Sequence, residues 1–180
     1  MILIINICKE KLHYYEFIKP IKDILDKNNV DFLIKHYKNI KKEDLQKSDK
    51  IIICGTSLMD NEFIKYTNKF NWIKNFNKPV LGICGGMEII GLAFCGKLKR
   101  KTEIGFYEEK FNKQFLGLKN IQKVYHLHNY YINFNNINEF GIFCSSGKIS
   151  QAVKHNQKQI YGVLFHPEVR QKELITNFLN

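Results

Sequence analysis

The chain has 180 residues, 44% of them hydrophobic, enough for one ordinary domain with a buried core and an internal cleft. Its formal charge of +11 comes from 28 Lys and Arg against 17 Asp and Glu; the lysines are spread along the chain and accompany no nucleic-acid motif, so the charge reads as compositional bias rather than a nucleic-acid surface. No apolar run approaches the roughly 20 residues of a membrane span, the opening MILIINICKEK lacks a signal-peptide pattern, and five cysteines without a CxxC pair fit reduced thiols, so a cytoplasmic chain is expected.

The first seven residues, MILIINI, are apolar and rich in β-branched side chains, which predicts a buried parallel strand with Cys8 just past its end. PIKDILDKNN predicts a helix with Pro20 in its first turn, Ile21, Ile24 and Leu25 on one face, and Asn28-Asn29 as its stop. VDFLIKH is a second strand, KKEDLQKSD a short polar helix, and KIIICGT a third strand that ends in Gly55. EFIKYTNKFNWIKNF sets Phe63, Ile64, Phe70, Trp72 and Ile73 near helical spacing, which predicts a helix with Trp72 in the core. PVLGIC is the fourth strand and GGMEIIGLAFCG the helix after it.

This alternation predicts an α/β fold of three layers, a mostly parallel central sheet with flanking helices, and ligand sites beyond the carboxyl ends of its strands. Cys8, Gly55 and Cys84 fall at such ends. Farther on, GKLKRK, IGFYEEKF, IQKVYHLHNYYI, FGIFCSS and ISQAVKH read as short strands with hairpin breaks, adding antiparallel strands to the sheet. IYGVLF is the last strong strand, and VRQKELITNFL a closing helix with Val169, Leu174, Ile175 and Phe178 inward. No repeat or linker interrupts the chain, so residues 1–180 form a single domain in this reading.

Gly82-Ile83-Cys84-Gly85-Gly86 has the form G-x-C-x-G, in which a nucleophile sits on a tight strand-to-helix turn. The glycines relieve crowding there, and the following amide can face a developing oxyanion. A helix N-terminus also favours the thiolate. Glycine-rich turns equally serve as phosphate cradles or plain turns, so the elbow alone leaves the role of Cys84 open. A thiol that attacks an amide needs a proton carrier, and His166-Pro167-Glu168, directly after IYGVLF, supplies an imidazole with a carboxylate to orient it.

Together, LGICGGMEIIG and AVKHNQKQIYGVLFHPEV resemble the class I (triad) glutamine amidotransferases over nearly the whole chain. The resemblance implies that Cys84 attacks the side-chain amide of glutamine, that His166 is base and acid, and that Glu168 orients it. It also implies an oxyanion hole from the amides of Gly85 and Gly55. Within the family, TEIGFYEEKF, YHLHNYYINF and the final segment are most similar to the amidotransferase part of GMP synthases, which implies that ammonia passes to a separate ATP-dependent synthetase subunit. Some of the positive surface is then expected to dock that partner. No cofactor, metal or membrane is implied.

The chain also departs from the family pattern. Cys54-Gly55-Thr56 stands where a Gly-Gly-Pro turn is usual, Gly85 where Leu commonly follows the cysteine, and Glu88 where a substrate-binding Gln is common. Leu127-His128-Asn129-Tyr130 replaces a Ser-His-Gly-Asp or Ser-His-Lys-Asp segment, so His128 and Asn129 are expected at the substrate without the aspartate. A carboxylate at Glu88 would weaken amide recognition or read a cationic group. The resemblance therefore leaves two other functions open, hydrolysis of another γ-glutamyl amide and a diverged binding or regulatory module. His126 and His128 would share one face of a strand, an arrangement that can bind metal, but no third ligand is evident nearby and no metal site is expected. Cys8, Cys95 and Cys144 are expected as buried apolar residues, and Cys54 beside Gly55 could line the site.

Overall fold

A computed structural model describes all residues from Met1 to Asn180. The predominantly apolar runs seen in the sequence form the parallel strands β1 (Ile2–Asn6), β2 (Phe32–His36), β3 (Lys50–Ile53), β4 (Val80–Ile83) and β9 (Ile160–Val163). Between them in sequence lie the helices α1 (Lys19–Lys27), α2 (Lys42–Lys47) and α3 (Gly85–Ala93); α4 (Lys172–Leu179) closes the chain. The remaining strands are β5 (Leu98–Phe115), β6 (Leu118–Ile132), β7 (Phe140–Ser146) and β8 (Ile149–His155). All nine strands join one sheet in the order β2-β1-β3-β4-β9-β8-β7-β5-β6. The β2-to-β9 half is parallel and the rest antiparallel, as the change of sequence texture predicts.

Both faces of the inner parallel strands are covered, which is why β1, β3, β4 and β9 are apolar at nearly every position, whereas the edge strand β2 is half-buried and carries Lys35 and His36. Ile2 and Ile4 of β1 pack with Ile21 and Leu25 of α1 and Leu174 and Ile175 of α4, whereas Leu3 and Ile5 pack with Ile89 and Ile90 of α3 and with Phe70 and Ile73. Two cores thus lie on either side of the sheet, giving three layers. Asn29 adopts φ +53° just after α1, the left-handed conformation that lets an Asn end a helix. The Lys50 ammonium caps α4 by donating to the carbonyls of Phe178 and Leu179 at 2.9 and 2.6 Å. No helix is long and apolar enough to cross a membrane.

Four expectations need correction. Residues Glu62–Asn75 form a kinked succession of 3-10 turns, broken at Tyr66, instead of an α-helix; Thr67, Asn68 and Asn71 are weak helix formers, and burial of Phe63, Phe70 and Ile73 is achieved without regular helix. GKLKRK and IGFYEEKF are not separate strands but halves of the 18-residue β5, joined across a bulge between Arg100 and Glu103 and paired along its length with the 15-residue β6. Val169 is exposed, because α4 begins only at Lys172. Cys95, at φ +64° just beyond α3, is exposed, unlike Cys8 and Cys144.

Candidate active site

The sheet places the two chemical motifs side by side. β4 and β9 are hydrogen-bonded neighbours, with Ile83 opposite Val163, so the residues that follow them, Cys84 and Leu164-Phe165-His166, emerge at the same edge. Cys84 caps α3 with φ +50° and ψ −109°, the strained backbone of a nucleophile elbow, and its N–H donates to the Val163 carbonyl at 2.7 Å. The glycines make this turn possible. A Cβ on Gly82 would lie 2.5 Å from the Gly86 carbonyl oxygen, and one on Gly86 would collide with the backbone of Ile53.

The imidazole of His166 is buried and its Nδ1 lies 2.7 Å from Glu168 Oε1, both side chains being almost inaccessible. Its backbone N–H is anchored on the Tyr125 carbonyl of β6 at 2.8 Å. The Cβ position of Gly55 is a common landmark, 2.6 Å from His166 Cε1 and 3.3 Å from the Cβ of Cys84. Any side chain at residue 55 would displace the imidazole, so glycine is required for Cys84 and His166 to lie side by side.

Burial pushes the Cys84 thiol up, and the charge of the neighbouring His166 opposes this, as does the Gly85 amide. For His166, burial disfavours the imidazolium, but Glu168 and Cys84 outweigh it and hold the group well above the ordinary histidine range. The upward direction for His166 is the firmer of the two, since the 2.7 Å carboxylate contact acts whether or not the sulfur is ionised. The thiol donates to the Leu127 carbonyl at 3.6 Å, while Nε2 of His166 has no hydrogen-bond partner and is free to exchange a proton.

Beside the sulfur lies a narrow pocket whose wall includes Thr56, Gly85, Glu88, Leu127, His128 and Asn129. Every expected substrate residue therefore borders it, each in a particular state. Glu88 is buried and, with no group opposing the desolvation, its carboxyl is pushed up from 4.5 to about 8. At neutral pH it is a neutral acid, with one O–H donor and one carbonyl acceptor. His128 is buried, its Nε2 lies 3.1 Å from Glu103, and burial pushes its pKa down. Asn129 donates to the Leu58 carbonyl at 3.0 Å and accepts from Thr102 at 2.8 Å, so its amide ties the β5–β6 hairpin to the loop after β3.

That loop has a second anchor. Buried Asp60 accepts from the Thr56 hydroxyl at 2.9 Å and from the Lys9 amide at 2.5 Å, while the Cys8 thiol donates to the Gly55 carbonyl at 3.7 Å. Cys54 is fully buried and packs in the core next to the site instead of facing the pocket. The sequence reading missed Asp60, Leu127 and Glu103. Each acts through contacts between segments distant in sequence, and no local pattern marks them.

A cysteine on a strained strand-to-helix turn, a histidine at the end of the adjacent strand and a carboxylate on that histidine together form a buried Cys-His-Glu constellation on an α/β fold. The chain belongs to the glutamine amidotransferase class-I family, whose model matches residues 13–180. It is 38% identical over 117 residues to a glutamine-hydrolyzing GMP synthase subunit of Methanosphaera stadtmanae, covering 59% of this chain and 62% of the relative. The corresponding GMP synthase subunit of Sulfolobus acidocaldarius is 30% identical over 138 residues, 73% of each chain. The glutamine-hydrolyzing GMP synthase of Spiroplasma kunkelii is 39% identical over 110 residues, 56% of this chain but only 21% of that protein. The chain thus spans well under two thirds of some of these relatives. Among solved structures, a protein of Thermoplasma acidophilum superposes over 99% of this chain and 91% of its own with a TM-score of 0.85 at 23% identity. A glutamine amidotransferase of Thermotoga maritima superposes over 99% and 81% with a TM-score of 0.72 at 21% identity.

Proposed function

We propose that this chain hydrolyses glutamine to glutamate and ammonia in the cytoplasm and passes the ammonia to a separate ATP-dependent synthetase subunit of the GMP synthase kind. The observation that carries the reading is the meeting of Cys84 and His166 over Gly55, with Glu168 2.7 Å from the imidazole. The proton of the Cys84 thiol passes to Nε2 of His166 and the thiolate attacks the amide carbon of glutamine. The C–S bond forms, the carbonyl electron pair moves to oxygen, and the amides of Gly85 and Gly55 face the oxyanion. The imidazolium then gives its proton to the leaving nitrogen, the C–N bond breaks, and ammonia departs from a thioester. Water attacks that thioester as His166 takes a proton from it; C–S cleavage returns the proton to sulfur and releases glutamate. Glu168 keeps the ring oriented and stabilises its charged form throughout.

Neutral Glu88 supports amide recognition at the place of the usual glutamine. A protonated carboxyl offers the same donor-plus-acceptor pair as an amide, whereas reading a cationic substrate would need the ionised form. This weighs against a cationic γ-glutamyl substrate. The relatives named as one subunit of a GMP synthase support a separate synthetase partner. The test is ammonia release from glutamine by the chain alone and with a GMP synthase synthetase subunit, for wild type and Cys84→Ala. Activity that survives Cys84→Ala would remove the thiolate mechanism, and a wild type silent even with the synthetase would point to a binding or regulatory module.

A further inference from the structure

On the β5–β6 hairpin, Glu103, His126 and His128 are buried together, with one ligand atom of each within 4.8 Å of the others. Pairing makes the cluster. Glu103 stands opposite His128 in the antiparallel register, and the two histidines, two residues apart on β6, share a face. This is the third ligand that the sequence alone did not disclose.

From this arrangement we propose that Glu103, His126 and His128 bind a divalent transition-metal cation of the zinc class, a site separate from the Cys84-His166-Glu168 chemistry. Two imidazoles and one carboxylate are a donor set of borderline softness that suits zinc. Metal–ligand distances of about 2.0–2.2 Å place tetrahedral ligand atoms about 3.4 Å apart. Glu103 Oε2 lies 3.1 Å from His128 Nε2 and 4.0 Å from His126 Nδ1, values that straddle that separation.

Three further observations favour an ion over a bare hydrogen-bond cluster. His126 is fully buried and neither ring nitrogen has a hydrogen-bond partner. Its Nδ1, 4.0 Å from Glu103, is too far for a hydrogen bond and well placed for a shared cation. Its Nε2 lies 3.3 Å from Glu109 Oε1, and Glu109 in turn is held by the Ser146 hydroxyl at 2.5 Å and the Cys144 thiol at 3.7 Å. Glu109 thus stands where an outer carboxylate faces the second nitrogen of a metal-ligating histidine. Likewise Gln151, fully buried, donates to Glu103 Oε2 at 3.2 Å, as an outer partner of a ligating carboxylate does, while its own Oε1 has no partner.

His128 links this site to the pocket, because its ring is part of the pocket wall. An ion on Nε2 would fix that wall without touching the thiol.

The test uses the reduced full chain, stripped with a chelator and titrated with Co2+ as a spectroscopic probe and with Zn2+ in thermal melts. One equivalent of cobalt should give the visible absorption of a low-symmetry site, and Zn2+ should raise the melting temperature. Cys84→Ala should keep the absorption, which separates the site from the nucleophile. His126→Leu should lose it, and Glu109→Gln should weaken binding about 10- to 100-fold. Should His126→Leu not fold, Glu109→Gln decides. A wild type with neither absorption nor zinc-induced stabilisation, absorption that persists in folded His126→Leu or vanishes in Cys84→Ala, or unchanged affinity in Glu109→Gln would overturn the assignment.

Discussion

Replacing Glu88 by Gln should change how stability depends on pH, and the size of the change follows from the burial of one carboxyl. In the folded chain this group titrates at about 8, against 4.5 for an ordinary glutamate. The folded state therefore keeps a proton that the unfolded chain releases, and the contribution of this group to stability falls as pH rises from about 4.5 toward about 8. Each pH unit inside that window costs about 1.4 kcal/mol from this group alone. Between about pH 5 and pH 7 the cost amounts to about 2 to 3 kcal/mol, a large part of the stability of an ordinary domain. Gln has nearly the same shape and does not titrate, so Glu88→Gln should escape the loss. Urea unfolding of both proteins at pH 5, 6 and 7 should show the variant gaining on the wild type by that amount. A gap between the two that stays constant to within about 0.5 kcal/mol across the series would refute a neutral Glu88.

Loss of the orienting carboxylate in Glu168→Gln should lower kcat for glutamine hydrolysis by about 100- to 10,000-fold. The same change should move the His166 pKa downward, which NMR titration of the ring would follow; an unchanged titration would deny the 2.7 Å contact its role. In Asn129→Ala, the loop after β3 loses its tie to the hairpin, so KM for glutamine should rise while stability falls by about 1 kcal/mol, read from kinetics and denaturation together. Gly86→Ala should destabilise the fold by about 1–3 kcal/mol or more, because the added methyl meets the backbone of Ile53 and no flexible side chain can yield; an unshifted melting temperature would contradict this packing.

The parallel half of the fold and the placing of Cys84, His166 and Glu168 at one edge of the sheet were readable because both are written in short contiguous strings. An apolar β-branched run such as KIIIC announces a doubly covered strand, and G-x-C-x-G and His-Pro-Glu each carry their geometry within a few residues. What could not be read depends on pairing between distant segments. Glu103 looks like one more charge in an alternating strand until the hairpin register sets it opposite His128. Asp60 looks like a loop residue until its carboxylate is seen holding Thr56 and the amide of Lys9. Glu88 was visible as a departure from the family pattern, but its neutral form is a property of burial, which the sequence position alone does not state. The 3-10 character of Glu62–Asn75 was hidden for the opposite reason: apolar spacing suggested a helix that Thr and Asn do not sustain.

The adjacency of β4 and β9 carries a consequence for inactivation. Cys84 and His166 follow two strands in the interior of the nine-stranded sheet, so the strand ends that carry them part only if that central ladder opens. Amides such as that of Cys84 should be among the slowest to exchange with solvent. The β5–β6 hairpin, at the margin of the sheet, can breathe well below the temperature of global unfolding, and because it holds the His166 amide through Tyr125 its opening should reshape the pocket wall and loosen the imidazole while Cys84 stays fixed between β4 and β9.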